Sequence, residues 1–167
     1  RFLVEFTAWA RLNEVDYFYR TASATGADGG LLTPAGTVRP EVRGALESAL
    51  AAPGTPAIAV SDVPERGREG DLVGAVRNVG IRSHRVVVYI RSGGAWWNKP
   101  SFAAPITSIR CDGTWTTDVT TGEGDVEADA LVAFLVPAGF TPPFLEGAPA
   151  LPRELFAVAL DVAEVER

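Results

Sequence analysis

Residues 84–100 read HRVVVYIRSGGAWWNKP. Val86, Val87, Val88, Tyr89 and Ile90 form a run of β-branched and aromatic side chains too short for an ordinary helix, so the segment is predicted to be a strand. Gly93 and Gly94 relax its end, and Pro100 stops regular pairing after two adjacent tryptophans and the only lysine of the chain, Lys99. Neighbouring residues of a strand face opposite ways. One of Trp96 and Trp97 is therefore expected in a core, and the other outside, with Lys99 beside it on the surface.

The same period of two continues on both sides of this stretch. DLVGAVRNVG (71–80), PITSIRCDGTWTTDVTTG (105–122) and DALVAFLVPAG (129–139) are short β-rich runs separated by turn residues, the pattern of an antiparallel sandwich or barrel. Asp112-Gly113 is read as a two-residue type I′ turn pairing TSIRC with TWTTDV. In that hairpin Trp115 shares an inward face with Thr117 and Val119. The tail ALPRELFAVALDVAEVER (150–167) reads as a short helix from Pro152 and a last strand through Val162 and Val165.

Upstream the period changes. Phe2, Leu3, Phe6, Trp9, Ala10 and Leu12 recur at three and four, the stripe of an amphipathic helix. EVDYFYRTAS (14–23) has strand composition, and RPEVRGALESALAA (39–52) starts a helix on proline. Proline, glycine and charge in PGTPAIAVSDVPERGREG (53–70) mark a boundary. The division expected is residues 1–51 as helix, strand, helix, residues 52–70 as linker and lead-in strand, and residues 71–167 as the β domain.

The chain has 167 residues, 47% hydrophobic and 22% charged, which is ordinary for a globular protein. A net charge of −6 without a basic cluster argues against nucleic acid and anionic membrane as partners. No run approaches the roughly 20 apolar residues of a membrane helix, and charge comes too early in RFLVEFTAWARLNE for a signal peptide. The first residue is arginine and methionine is absent, so the sequence reads as a piece of a longer protein. A single cysteine, Cys111, excludes an internal disulfide and is expected to be a small buried apolar group.

FLVEFTAWARLNEVDYFYRTAS (2–23) and GGLLTPAGTVRPEVRGAL (29–46) resemble the end of the catalytic barrel of clan A glycoside hydrolases, from its seventh helix to its closing segment. RVVVYIRSGGAWWNKPSFAAPITSIRCDGTWTTDVTTG (85–122) and ALVAFLVPAGFTPP (130–143) resemble a bacterial β-sandwich module appended to secreted polysaccharide-acting enzymes and surface proteins. The resemblance implies a mainly β chain: an antiparallel Ig-like β-sandwich preceded by the helix–strand–helix remnant of a (β/α)8 barrel. It also implies a secreted or cell-surface location and a non-catalytic accessory role. The two carboxylates of such a barrel would both lie before Arg1, so no catalytic residue is assigned in this chain.

Trp96, Trp97, Asn98 and Lys99 are the candidate carbohydrate-binding residues. Sugar rings stack on aromatic planes, and an ammonium donates to hydroxyls. The partner expected is a polysaccharide or oligosaccharide. The alternative is a structural spacer or protein-interaction module, in which one tryptophan fills the core, the other covers the sheet edge, and Lys99 protects that edge from pairing. Glu5 reads as a helix-surface carboxylate, Tyr17, Tyr19 and Arg20 as barrel-strand packing, and His84 as a solvated side chain. Glu123, Asp125, Glu127 and Asp129 alternate in an acidic loop that is open to calcium but lacks EF-hand spacing, so it is read as solvated, with no metal or cofactor expected.

Overall fold

The computed structural model describes residues 54–167 together with Leu12, Asn13, Pro40 and Arg43. Apart from those four positions, the helix–strand–helix expected over residues 1–51 lies outside the described residues, as do Glu5, Tyr17, Tyr19 and Arg20. Residues 54–167 are mainly β, with two antiparallel sheets and a single short α-helix.

The strands are β1 (Ala57–Asp62), β2 (Asp71–Arg77), β3 (His84–Ser92), β4 (Ala95–Lys99), β5 (Thr114–Asp118), β6 (Ala130–Pro137), β7 (Glu146–Ala148) and β8 (Asp161–Glu166). Helix α1 (Arg153–Val158) precedes β8, as the tail pattern predicts. One sheet has the order β1-β2-β5 and the other β7-β4-β3-β6-β8. The strand at Ala57–Asp62 pairs with β2 along its length, so the segment expected as linker and lead-in contributes a full strand to the smaller sheet.

Alternation explains how the sheets meet. Leu72 and Val76 of β2 and Trp115 of β5 face Val86, Val88 and Ile90 of β3 and Leu131, Ala133 and Leu135 of β6, and all are buried in one shared core. The expected inward face of β5 is present, since Trp115, Thr117 and Val119 are all buried. Trp115 lies over Gly74, where an added Cβ would come within 2.3 Å of the indole and 2.2 Å of the Ala59 carbonyl. No other residue fits there.

The larger sheet is also covered on its outer face. Val87, Tyr89, Trp96, Val132, Phe134 and Val136 pack against Leu145, just before β7, and Leu155 of α1, which the chain carries back across the sheet. This accounts for β3 and β6 being almost continuously apolar rather than alternating: a strand buried on both faces has no solvent side.

The turns differ from expectation at two places. The two-residue turn with positive φ at both central positions is Gly93-Gly94, with φ of 61° and 78°, joining β3 to β4 through the Ser92–Ala95 pair. At Asp112-Gly113 only Gly113 has positive φ, at 85°. The Gly113 amide donates to the Arg110 carbonyl at 2.9 Å and Arg110 N–H to Thr114 O at 2.8 Å, a three-residue turn with a glycine bulge. Nor does TSIRC form a strand with TWTTDV. Thr107 bridges Val86 of β3, whereas β5 pairs with β2. Residues 100–113 thus carry the chain from one sheet to the other.

Leu12 and Asn13 touch this two-sheet body. Ile81 N–H donates to the Leu12 carbonyl at 3.0 Å, and the Asn13 amide donates to the Cys111 carbonyl at 2.8 Å. Asn13 is buried.

Candidate functional site

Among the described residues the smaller sheet has three strands against five, and the inner face of β4 is met by loops instead of by a strand. The gap is a cavity of about 400 Å³ bordered by Trp97, Lys99, Phe102, Thr121, Glu123 and Asp125, with Ser92 and Ser101 on its edge. A volume of that size lies within the roughly 300–1,000 Å³ of small-ligand sites.

Trp96 and Trp97 point to opposite faces of β4, as a strand requires, but neither is fully outside. Trp96 is 7% exposed in the outer-face core, with the Arg91 guanidinium 5.7 Å from its ring centre. Trp97 is half-buried against the shared core, its Nε1–H donating to the Ser92 carbonyl at 3.3 Å and its ring lying against Gly147. The expectation of one outward indole fails because both faces of the sheet are covered. Trp97 instead forms a wall of the cavity.

Lys99 shares the face of Trp97 and departs most from expectation. It is 4% exposed rather than on the surface, and its ammonium is ion-paired with the carboxylate of Asp125, itself 6% exposed. The ammonium also donates to Thr121 Oγ1 at 3.2 Å. Asp125 accepts a further bond from the Gly122 amide at 2.6 Å, and Thr121 Oγ1 donates to the Pro100 carbonyl. The ion pair therefore ties the loop of residues 121–125 to the end of β4 and holds that wall of the cavity in place. A compact ammonium reaches both oxygens in this space, which accounts for lysine where the rest of the chain uses arginine.

Asn98 faces the other way. Its Oδ1 accepts from Leu145 N–H at 2.5 Å and its Nδ2 donates to the Pro143 carbonyl at 3.2 Å, so its side chain fixes the return loop. Tyr89 OH donates to the same Pro143 carbonyl at 2.9 Å. Burial, with a contribution from the Glu154 carboxylate, pushes the Tyr89 phenol up to about 12 against the opposing effect of its contact with Asn98.

The acidic loop is not uniformly solvated. Asp125 is the buried partner of Lys99, and Asp129 pairs with Arg91 at 2.7 Å, while Glu123 and Glu127 are exposed. The Arg91 hydrogen bond holds the Asp129 carboxyl below the usual carboxylate range. Among the described residues no group of acidic, histidine or cysteine side chains stands ready to hold a metal. His84 is half-buried, its Nδ1 within 2.9 Å of the Gly80 carbonyl, rather than freely solvated. Cys111 is exposed in its turn, not buried, because TSIRC is not a sheet strand.

Two aromatic residues that pattern reading passed over pair at the surface. Phe102 is 42% exposed and Phe144 60% exposed, their rings 4.9 Å apart at 55°. Phe102 lines the cavity. A lone aromatic within SFAAP, a loop otherwise made of small residues and proline, was the available signal for it. Nothing local signals Phe144 or Asp125, which meet their partners from more than twenty residues away in sequence.

The chain matches no protein-family model, no curated protein and no solved structure.

Proposed function

We propose that residues 57–167 serve as a non-catalytic, carbohydrate-binding accessory part of a secreted polysaccharide-degrading glycoside hydrolase, an Ig-like β-sandwich following the end of its (β/α)8 barrel. The carrying observation is the cavity beside β4, which joins the indole of Trp97 and the exposed ring of Phe102 to the hydroxyls of Ser92, Ser101 and Thr121. Aromatic faces take the C–H side of a sugar ring, and hydroxyls take its polar edge. The scaffold around this site is rigid, since Lys99 and Asp125 brace one wall and Gly147 backs the indole.

Affinity electrophoresis of the whole chain through β-glucan, xylan, mannan and an acidic polysaccharide tests the reading. Retardation by at least one polymer, reduced in Phe102→Ala, is expected. Free migration through all of them would remove it.

A second reading, a structural spacer or protein-interaction module without sugar binding, is favoured by a different observation. Trp96, Asn98 and Lys99 are buried and committed to contacts within the fold. Under that reading no polymer retards the chain, and its melting stays cooperative.

A further inference from the structure

We infer that the cavity beside Trp97 takes a short, uncharged saccharide segment free in solution, rather than an acidic polysaccharide or the flat face of an insoluble one. The inference rests on the carbohydrate-binding reading above. Three features of the site carry it.

The first is charge. Among the described residues, Lys99, Asp125 and Glu123 are the charged side chains that border the cavity. Lys99 and Asp125 neutralise one another in direct contact, so the pair adds no net positive charge that would favour a uronate over a neutral sugar. Glu123 is exposed and leaves an unbalanced negative charge at the opening of a chain whose net charge is already −6. An anionic polymer would approach against that field.

The second is shape. Binding to a crystalline polymer face calls for a planar array of outward aromatic rings, whereas Trp97 is recessed in a cavity wall. Phe102 stands at the mouth, braced by Phe144. A ring that enters can lie against Trp97 or Phe102, and the cavity has room for a small ligand but not for a long stretch of chain.

The third is the polar inventory. An ammonium has three donors, and among the described residues Thr121 and Asp125 engage two of those of Lys99. The remaining donor belongs to a side chain almost wholly withdrawn from water that lines the cavity. Ser101 Oγ accepts from Ala104 N–H at 3.2 Å and keeps its own proton to give. Ser92 Oγ donates to the Gly124 carbonyl at 2.7 Å and keeps its lone pairs. Donors and acceptors are thus both on offer, which suits hydroxyl groups that act as both.

The test uses the full chain in calorimetric titrations with neutral cello-, xylo- and manno-oligosaccharides and with oligogalacturonate, and in depletion assays on microcrystalline cellulose. Saturable binding of at least one neutral series, insensitive to added salt, is expected. Phe102→Ala should weaken it about two- to tenfold, the range of an aromatic stacking contact. Glu123→Gln should narrow the gap between the neutral series and oligogalacturonate by removing the negative charge beside the cavity. Tighter binding of oligogalacturonate than of every neutral series would overturn the inference and leave sugar binding standing. So would depletion onto cellulose that soluble oligosaccharides fail to reverse. Absence of binding to every saccharide would overturn both readings.

Discussion

Substituting Lys99 by methionine isolates the contribution of the buried ion pair. The side chains of Lys99 and Asp125 are only 6% and 8% exposed, so neither charge has bulk water to fall back on. Removing the ammonium leaves the Asp125 carboxylate with one remaining donor, the Gly122 amide at 2.6 Å. Breaking a buried pair from one side costs about 3–5 kcal/mol, because the partner is left charged and uncompensated. Asp125→Asn is the milder change. The ammonium then keeps Thr121 and meets an amide oxygen in place of the carboxylate, and the loss is expected at about 1–3 kcal/mol, that of a weakened buried polar contact. The double variant Lys99→Met, Asp125→Asn carries no buried charge at this site, so its loss should fall about 0.5–3 kcal/mol short of the sum of the single losses. Urea denaturation of the four proteins at neutral pH, followed by tryptophan fluorescence and extrapolated linearly, gives the cycle. A Lys99→Met loss below about 1 kcal/mol, the value of a surface pair, would refute the claim that this contact braces the loop. Strict additivity of the single losses would refute the coupling.

Four further outcomes are expected. Trp115→Ala should lose about 3–5 kcal/mol in the same denaturation assay as a fully buried aromatic truncation, and Gly74→Ala about 1–3 kcal/mol as an overpacked core position; an unchanged midpoint in either would contradict the packing of that indole on that backbone. The Tyr89 phenol is raised to about 12 in the fold, above its ordinary value near 10. Its contribution to stability is accordingly complete below about pH 10 and disappears as pH rises through about 12, and ultraviolet titration should show a late tyrosinate step that is missing in Tyr89→Phe. Asp129 is depressed by its hydrogen bond from Arg91, so its contribution holds above the ordinary aspartate value of about 3.9 and fades as pH falls through the lower folded value. Asp129→Asn should therefore be less stable than the parent at neutral pH and converge with it in acid; a gap that persists in strong acid would exclude the pair as its cause.

What the residues determined by themselves was local. The β-branched run at Val86–Ile90 made a strand, the alternation around Trp115 gave its inward face, and proline followed by ELFAV started the short helix before β8. Each of these depends on neighbours within a few positions, where steric preference and period suffice. Gly93-Gly94 carried the hairpin signal as openly as Asp112-Gly113 did, and the choice between them turned on which flanking segments found partners. Only the tertiary structure decided that β4 would be covered on both faces, and with it that neither Trp96 nor Trp97 would stand clear in solvent. Only the tertiary structure brought Asp125 to Lys99 and Phe144 to Phe102. Those meetings depend on how two sheets of unequal width stack and where the loops of the wider one fall. A one-dimensional pattern records which face a side chain takes; what lies opposite that face is set by the packing of the whole chain.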